Sequence, residues 1–442
     1  MPGVATGHGS QGLADGGSEF SVHDIVITGM GVVTAAGTGC KDFAAALRSG
    51  RSGIGQVPPD CRLGIDVGAL LTDIHLEDDL RCIEDLPADL FTRARRAAHR
   101  APFSAQVSVI GAAQAWCGAG LHRSRVDPSR VGLTVAGQNL NQRLGYDLQQ
   151  RYGERLAYLP PSYGRHFLDT DQVGILSEIL EIRGEGLTVG GASASGNVGL
   201  IQGSRLIGSG AAEVCVVVGA MMDLSPLELH ALDAMGALCS KASRPAGEVC
   251  RPFDRDRGGF VYGQGSGCLV LESRSSAEER GVEPLAALVG CALNLDGNRS
   301  TDPNPTGQAT AMRQALRNAR LSVADLDYIN THGTGSVLGD ESELQAIKAV
   351  LDSQVARTWL NSTKSLVGHC LTAAGAIEAI ATILQMRGKF LHPNLNLDHP
   401  IDAGCRFVGA GGASPVTVKT ALSNSFGFGG ICSSIAFRSE GG

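Results

Sequence analysis

Short, unbroken apolar runs, separated by glycine turns and amphipathic stretches, set the plan of this chain. Val131–Val135, Val214–Val218, Cys268–Leu271, Leu285–Val289 and Ile435–Phe437 read as strands buried on both faces. Asp24-Ile-Val-Ile-Thr-Gly-Met-Gly31 is a further strand entering a glycine turn, and order is expected to begin there. Helical spacing lies between the strands: Met312, Ala315, Leu316 and Ala319 share one face, as do Leu344, Ile347 and Leu351. Alternating strands and helices predict an α/β protein whose sheet is covered on both sides. Thr188-Val-Gly-Gly-Ala-Ser-Ala-Ser-Gly196 predicts a strand turning sharply into a helix, which continues through Val198, Leu200, Ile201, Leu206 and Ile207. Gly190, Gly191 and Ala192 permit the bend. Ser193 then sits at a helix N-terminus, where free N–H groups and the macrodipole stabilise negative charge. By itself such an entry speaks for packing more than for catalysis.

A strand, small-residue turn and helix recur over 363–384, echoing 190–207. We read two related halves, residues 24–275 and 276–442, divided in the charged turn Ser273–Gly281. Residues 1–23, rich in Gly and Ser, are expected to be a disordered leader. The stretch 86–187, with a loop at Pro160-Pro161, becomes an elaboration of the first half. At 442 residues, 43% hydrophobic and 18% charged, the chain is globular. Its net charge of −7 argues against nucleic acid as a bulk partner. No apolar run reaches the ~18 residues of a membrane span, and no secretory signal pattern opens the chain. The twelve cysteines form no C-x-x-C pair and no metal-like spacing with histidine; Cys215, Cys268 and Cys291 lie in apolar runs expected to be buried. The expectation is a reduced, cytoplasmic protein without a metal. Gly29-x-Gly31 lacks the third glycine of a dinucleotide loop, since Thr34 stands there.

Candidate chemistry lies in three later segments. His332-Gly-Thr-Gly-Ser-Val-Leu-Gly-Asp340 runs on to Glu343; Lys364-Ser-Leu-Val-Gly-His369 precedes Ala373-Ala-Gly375; Asn424-Ser-Phe-Gly-Phe-Gly-Gly430 lies near the C-terminus. A single histidine in an apolar stretch is usually a core residue, but two at glycine-flanked turns point to a site. In this order the set closely resembles the β-ketoacyl synthases of fatty-acid and polyketide assembly, from about Asp24 to Arg438. That resemblance implies the thiolase fold, with two pseudo-repeated halves in αβαβα layers, and a homodimer.

It also implies roles. The positions of His332 and His369 donate hydrogen bonds to the thioester carbonyl of a malonyl unit carried on an acyl carrier protein. Loss of CO2 leaves an enolate, and each preorganised donor is worth on the order of 10²–10³ in rate. Lys364 and Glu378 would form an ion pair that orders the site; their apolar flanks (Leu366, Val367, Ala376, Ile377) weigh against a solvated surface pair. Asp340 and Glu343 would support the first histidine loop. Phe428 would gate the acyl pocket, its N–H forming an oxyanion hole with that of the nucleophile. No cofactor is implied, because phosphopantetheine arrives on the carrier protein.

The departures decide the functional reading. The family carries a cysteine nucleophile where Ser193 stands. A helix N-terminus can bring a thiol's pKa toward neutrality, whereas a serine hydroxyl needs an adjacent base. Condensation should fail while decarboxylation survives. The Gly190–Gly196 variant, with Leu159-Pro-Pro-Ser162 and Asp169-Thr-Asp171, resembles the decarboxylating ketosynthase-like proteins of polyketide β-branching cassettes. Those convert malonyl- to acetyl-carrier protein for a partner of the hydroxymethylglutaryl-CoA synthase type. Gln264 is a second departure, where many synthases have glutamate. Three alternatives stay open: a serine-nucleophile acyltransferase or starter-unit selector, a non-catalytic subunit like a chain-length factor, and a condensing synthase into which the serine was introduced. The retained histidines weigh against the second, and the altered Gly190-Gly191 against the third. Arg93, Arg95, Arg96 and Arg100 form a basic cluster in an acidic chain, either a solvated helix face or a docking site for an acidic carrier protein.

Overall fold

The computed structural model describes residues 24–241, 244–297, 299 and 301–440; the expected leader lies outside them. Its main strands are β1 (Ile25–Thr34), β2 (Val131–Ala136), β3 (Gly186–Val189), β4 (Val214–Gly219), β5 (Gly265–Ser273), β6 (Ala286–Leu295), β7 (Tyr328–Asn330), β8 (Trp359–Asn361), β9 (Thr420–Gly427) and β10 (Ile431–Arg438). They form one mixed sheet in the order β8-β7-β9-β10-β6-β1-β5-β4-β2-β3. Each half repeats one pattern: third, second, fourth, fifth, first. The fifth strand of each runs antiparallel to both neighbours. A short antiparallel pairing of β1 with β6 joins the halves. The pseudo-repetition and the thiolase-type architecture expected from the sequence are both present.

The principal helices are α1 (Ala88–Ala98), α2 (Phe103–Gly118), α3 (Thr170–Leu180), α4 (Ser195–Gly208), α5 (Pro305–Asn318), α6 (Val337–Leu351) and α7 (Ala374–Gly388). Helices α2 and α3 pack on the outer face of the first half, and α5, with α6 behind it, on that of the second. Helices α4 and α7 lie between and touch strands of both halves. Strand alternation feeds the layers separately. Cys215, Val217, Leu269 and Leu271 face the central helices, while Val214, Val216, Val218, Cys268 and Val270 face outward. Ile435 and Phe437 likewise turn inward, and Ala436 outward. Burial on both sides is why these strands read as unbroken apolar runs.

The central helices meet at their first turns. A Cβ on Gly196 would lie 2.4 Å from the Ala376 nitrogen, and one on Gly375 2.7 Å from the Asn197 nitrogen. Only glycine permits this backbone approach. Each helix is entered through a matching one-turn segment, Ala192–Ala194 and Leu371–Ala373. Ala192 and Leu371 both hold φ at 48°, a left-handed conformation costly for a residue with a side chain. The same strained elbow is therefore built twice.

Three expectations change. The presumed turn 273–281 contains a helix, Arg274–Glu279, because the Ser273 hydroxyl caps it by accepting from the Ser276 N–H at 3.2 Å. The stretch 86–187 is not a peripheral elaboration: it supplies β2, α2 and α3 to the core, and Pro160-Pro161 does lie outside regular structure. Cys291 is half-buried, unlike Cys215 and Cys268. Among the described residues, no helix is long and apolar enough to cross a membrane.

The helix crossing predicts a stability contrast. Gly196→Ala should cost about 1–3 kcal/mol, as overpacking does. Gly208→Ala, in the same helix with nothing within 4 Å of its Cβ position, should cost nothing or stabilise slightly. Urea denaturation of the two variants checks this, and equal midpoints would contradict it.

Candidate active site

Ser193 stands in the elbow between β3 and α4. Its Oγ lies 2.9 Å from Nε2 of His369. Its carbonyl accepts a hydrogen bond from Ser425 Oγ on β9 at 3.0 Å. Ser195 braces the turn from within, its Oγ accepting from the Gly191 N–H at 2.9 Å and donating to the Ala192 carbonyl at 2.7 Å.

The tautomers of both histidines follow from their neighbours. The Leu371 N–H donates to Nδ1 of His369 at 3.3 Å. A neutral imidazole carries one proton, so that proton sits on Nε2 and is directed at Ser193. His332 Nδ1 lies 3.3 Å from Lys364 Nζ, an ammonium that only donates; the His332 proton is likewise on Nε2. The rings stand nearly perpendicular, at 84°, with centroids 5.6 Å apart. The edges of Phe260 and Phe426 brace them at 5.0 Å and 5.6 Å respectively. Burial, and then the Lys364 charge, holds both imidazoles well below the usual histidine range. Both are neutral at physiological pH.

Lys364 joins the two loops to the core. Besides His332 Nδ1 it donates to the His332 carbonyl and to Glu378 Oε1, each at 2.5 Å, so all three of its protons are used. Burial pushes the Glu378 carboxyl up to about 7 against the pull of Lys364. Glu343 accepts from the N–H groups of His332 and Gly333, both at 2.8 Å. Asp340 accepts from Phe253 at 2.7 Å and from Gly335 at 3.1 Å. Burial raises both of these carboxyls to about 7. The two acids hold the loop that carries His332.

Ser193, His332, His369 and Phe428 line one cavity of about 490 Å³, walled by Met222, Leu224 and Leu232. Phe428 is 43% exposed at the tip of the β9–β10 hairpin. Its N–H makes no backbone hydrogen bond among the described residues. The structure therefore brings Ser193, His332, His369, Lys364, Glu378, Asp340, Glu343 and Phe428 together. It does not bring the arginines there. They lie on or just beyond α1; Arg93 pairs with Asp89 and Glu181, Arg96 with Glu178, and none lines the cavity.

Gln264 has a definite task. Its amide oxygen accepts from the Leu71 N–H at 3.0 Å and its nitrogen donates to Asp223 Oδ1 at 3.3 Å. Glutamate there would set a second carboxylate against Asp223, whose own carboxyl burial raises to about 6. Phe260, Phe426 and Gln138 are lining residues that sequence reasoning missed. Phe426 could have been found by alternation along β9, two residues before Phe428.

The β-ketoacyl synthase N-terminal domain family matches residues 22–277, and the C-terminal domain family residues 285–398. The polyketide biosynthesis malonyl-ACP decarboxylase PksF of Bacillus subtilis (strain 168) is 39% identical over 424 residues, covering 95% of this chain and 98% of that protein. A 3-oxoacyl-(acyl-carrier-protein) synthase 2 of Vibrio harveyi is 30% identical over 428 residues, covering 95% and 99%. Among solved structures, a β-ketoacyl synthase from Burkholderia phymatum STM815 superposes with a TM-score of 0.81 at 28% identity, covering 95% and 100%. A type II ketosynthase in complex with its acyl-carrier protein superposes at 0.80 with 26% identity, over 95% and 100%.

The Lys364–Glu378 pair predicts that stability and tautomer separate. Lys364→Met should destabilise by roughly 3–5 kcal/mol, since it strands a buried carboxylate. Adding Glu378→Gln should recover most of that loss. In both variants His332 should lose its fixed Nε2–H form in ¹⁵N spectra of the imidazoles. A His332 tautomer unchanged in the stable double variant would contradict the assignment.

Proposed function

The chain belongs to the β-ketoacyl synthase family, and we propose that within it this protein is a non-elongating decarboxylase acting on malonyl-acyl carrier protein. The observation that carries this reading is the direction of the His369 proton. Ser193 needs a base to become a nucleophile, yet the imidazole nitrogen facing it already holds a proton, and no carboxylate hydrogen-bonds to its Oγ among the described residues. The same N–H suits an acceptor, which is what a decarboxylating thioester offers. As the bond to the carboxyl breaks, CO2 leaves and the electron pair passes into the thioester enolate. The N–H groups of His332 and His369 receive the charge on its oxygen, and a proton taken up at carbon gives the acetyl thioester.

In this reading Lys364 positions His332 and keeps it neutral, Phe428 gates the cavity, and Ser193 contributes its place at the helix N-terminus without being acylated. The phosphopantetheine arm of the carrier protein enters the cavity. The B. subtilis relative named as a malonyl-ACP decarboxylase supports the assignment; family membership alone does not, since other relatives are named as 3-oxoacyl synthases. We further propose a cytoplasmic homodimer. The β3 edge pairs on one side only, and Leu156, Tyr158, Phe167 and Leu168 are exposed. The acetyl-carrier product would serve a hydroxymethylglutaryl-CoA synthase-type β-branching partner. Of the basic cluster, Arg95, Arg96 and Arg100 are exposed; Arg96 pairs with Glu178, which leaves Arg95 and Arg100 for carrier docking.

Incubation with malonyl-carrier protein should give acetyl-carrier protein by intact mass, with no β-ketoacyl product when an acyl donor is added. Ser193→Ala should retain substantial turnover. An acyl group on wild-type Ser193 turning over at the catalytic rate would favour the acyltransferase instead.

The histidines predict both magnitude and pH dependence. His332→Ala or His369→Ala should each lower decarboxylation roughly 10²-fold or more. Because both imidazoles titrate well below the usual value of ~6.5, neither gains a proton as pH falls from 8 to 6. Any change of rate across that window should therefore follow Glu343, Asp340 and Glu378, whose carboxyls burial raises to about 7, and imidazole ¹⁵N shifts showing either histidine protonated at pH 6 would count against neutral donors.

A further inference from the structure

Loss of CO2 leaves a carbanion that has to be quenched. His332 and His369 hold its oxygen, but a separate group must bring a proton to its carbon. Each imidazole has one proton, on Nε2, and that proton is committed to the enolate oxygen. Lys364, Asp340, Glu343 and Glu378 do not line the cavity. Glu228 does, but its carboxylate caps a helix, accepting from the Ser225 N–H at 2.9 Å. The Thr372 hydroxyl gives its proton to the Ala220 carbonyl at 2.8 Å. Burial pushes the Cys432 thiol up to about 12, and it packs with Ala311 and Phe426. The hydroxyls of Thr334 and Ser336 lie 2.9 Å apart and bond to each other.

Ser193 differs from all of these. Among the described residues it is the one hydroxyl that hydrogen-bonds either of the two imidazoles. The Nε2 proton of His369 lies between the two groups, so Ser193 Oγ is the acceptor there and its own proton is left over. Nothing in the protein takes that proton, because the contact with His369 is the one hydrogen bond Oγ makes among the described residues. The backbone beneath it is fixed, with Ser425 on its carbonyl at 3.0 Å and Ser195 bracing the turn. A substrate oxygen that accepts from His369 Nε2, at about 2.9 Å, becomes a neighbour of Ser193 Oγ on the same donor. The carbon that has lost CO2 is two bonds from that oxygen. The spare serine proton is the one at hand.

We propose that Ser193 is the catalytic acid of the second step, passing its hydroxyl proton to the enolate carbon while a proton from water in the cavity replaces it. The enolate electron pair forms the new C–H bond and the thioester carbonyl is restored. The serine O–H breaks and re-forms at the expense of water, and the hydroxide left over joins the departed CO2 as bicarbonate. The His369 N–H moves from Oγ to the enolate oxygen and returns as the carbonyl re-forms. Because water replaces the proton as it leaves, no free alkoxide stands at Ser193 and no bond forms between its oxygen and the substrate. This inference rests on the decarboxylase reading and deepens it.

Protonation follows C–C cleavage, so its loss is read in the fate of the enolate: one that waits can recapture CO2. Malonyl-carrier protein is incubated in buffer equilibrated with ¹³CO2, with wild type or with Ser193→Ala, Ser193→Thr or Thr334→Val. The reaction is stopped part-way, and the malonyl arm that remains is released and its mass read. Wild type should leave it unlabelled. Ser193→Ala should raise ¹³C incorporation roughly tenfold or more, since a positioned acid contributes on the order of 10²-fold or more. Ser193→Thr keeps a hydroxyl and should stay near wild type, as should Thr334→Val. A variant that merely disturbed the site would release CO2 more slowly and leave the remaining substrate unlabelled. An unlabelled Ser193→Ala reaction, whether or not it turns over, would overturn the proposal. So would label in wild type, Ser193→Thr or Thr334→Val at the Ser193→Ala level. A wild type that releases no CO2 sinks the decarboxylase reading itself; one that releases it beside an unlabelled Ser193→Ala sinks the proton role alone.

Discussion

Everything in the site depends on how closely two helices approach. Helices α4 and α7 come together at Gly196 and Gly375 with no side chain between their backbones. That contact brings the elbow of one half against the loops of the other, and so sets Ser193 2.9 Å from His369. A methyl group at either glycine would push the halves apart at the point where the cavity is assembled. Packing density, which leaves no spare volume in such a core, thus fixes the geometry of a polar site.

Electrostatics then decides what that geometry can do. Among the described residues, Lys364 is the one cation in contact with the histidine pair, through His332, and it is spent entirely on acceptors: an imidazole nitrogen, a carbonyl and Glu378. Its charge and the dry surroundings keep the imidazoles uncharged, while the hydrogen bonds at their Nδ1 atoms aim both remaining protons into the cavity. A site arranged in this way supplies donors and withholds bases. A thiol could ionise beside it with help from the helix terminus; a hydroxyl cannot. The serine and the histidine pair are therefore consistent with each other under the proposed reading, in which negative charge is received on a substrate oxygen and no ester forms at Ser193.

Much of this was legible in the chain. The core strands could be read because burial on both faces leaves unbroken apolar runs, and the elbow at Gly190–Gly196 could be read because a sharp bend demands small residues. The short β7 and β8 were not legible: three residues each are too few for a periodic signal. Segment 273–281 looked like a turn since charge dominates it, and only the Ser273 cap makes it helical. The arginines on α1 looked like a docking site in one dimension; in three, Arg93 and Arg96 face acids on and just beyond α3. Gln138 carried no signal at all, because only the fold brings it to the cavity and over Gly190, a residue without a side chain fifty-two positions away. Contacts defined by missing atoms leave the faintest trace in sequence.

The doubled elbow has a consequence for how the molecule reports on itself. Ser193 rises from one copy of the motif and His369 immediately precedes the other, so neither half contains a working centre. Turnover is then a direct readout of the docking between halves. Because one apolar core runs through both halves, whatever loosens their seam loosens the centre with it, and the site carries no stability of its own apart from that of the fold.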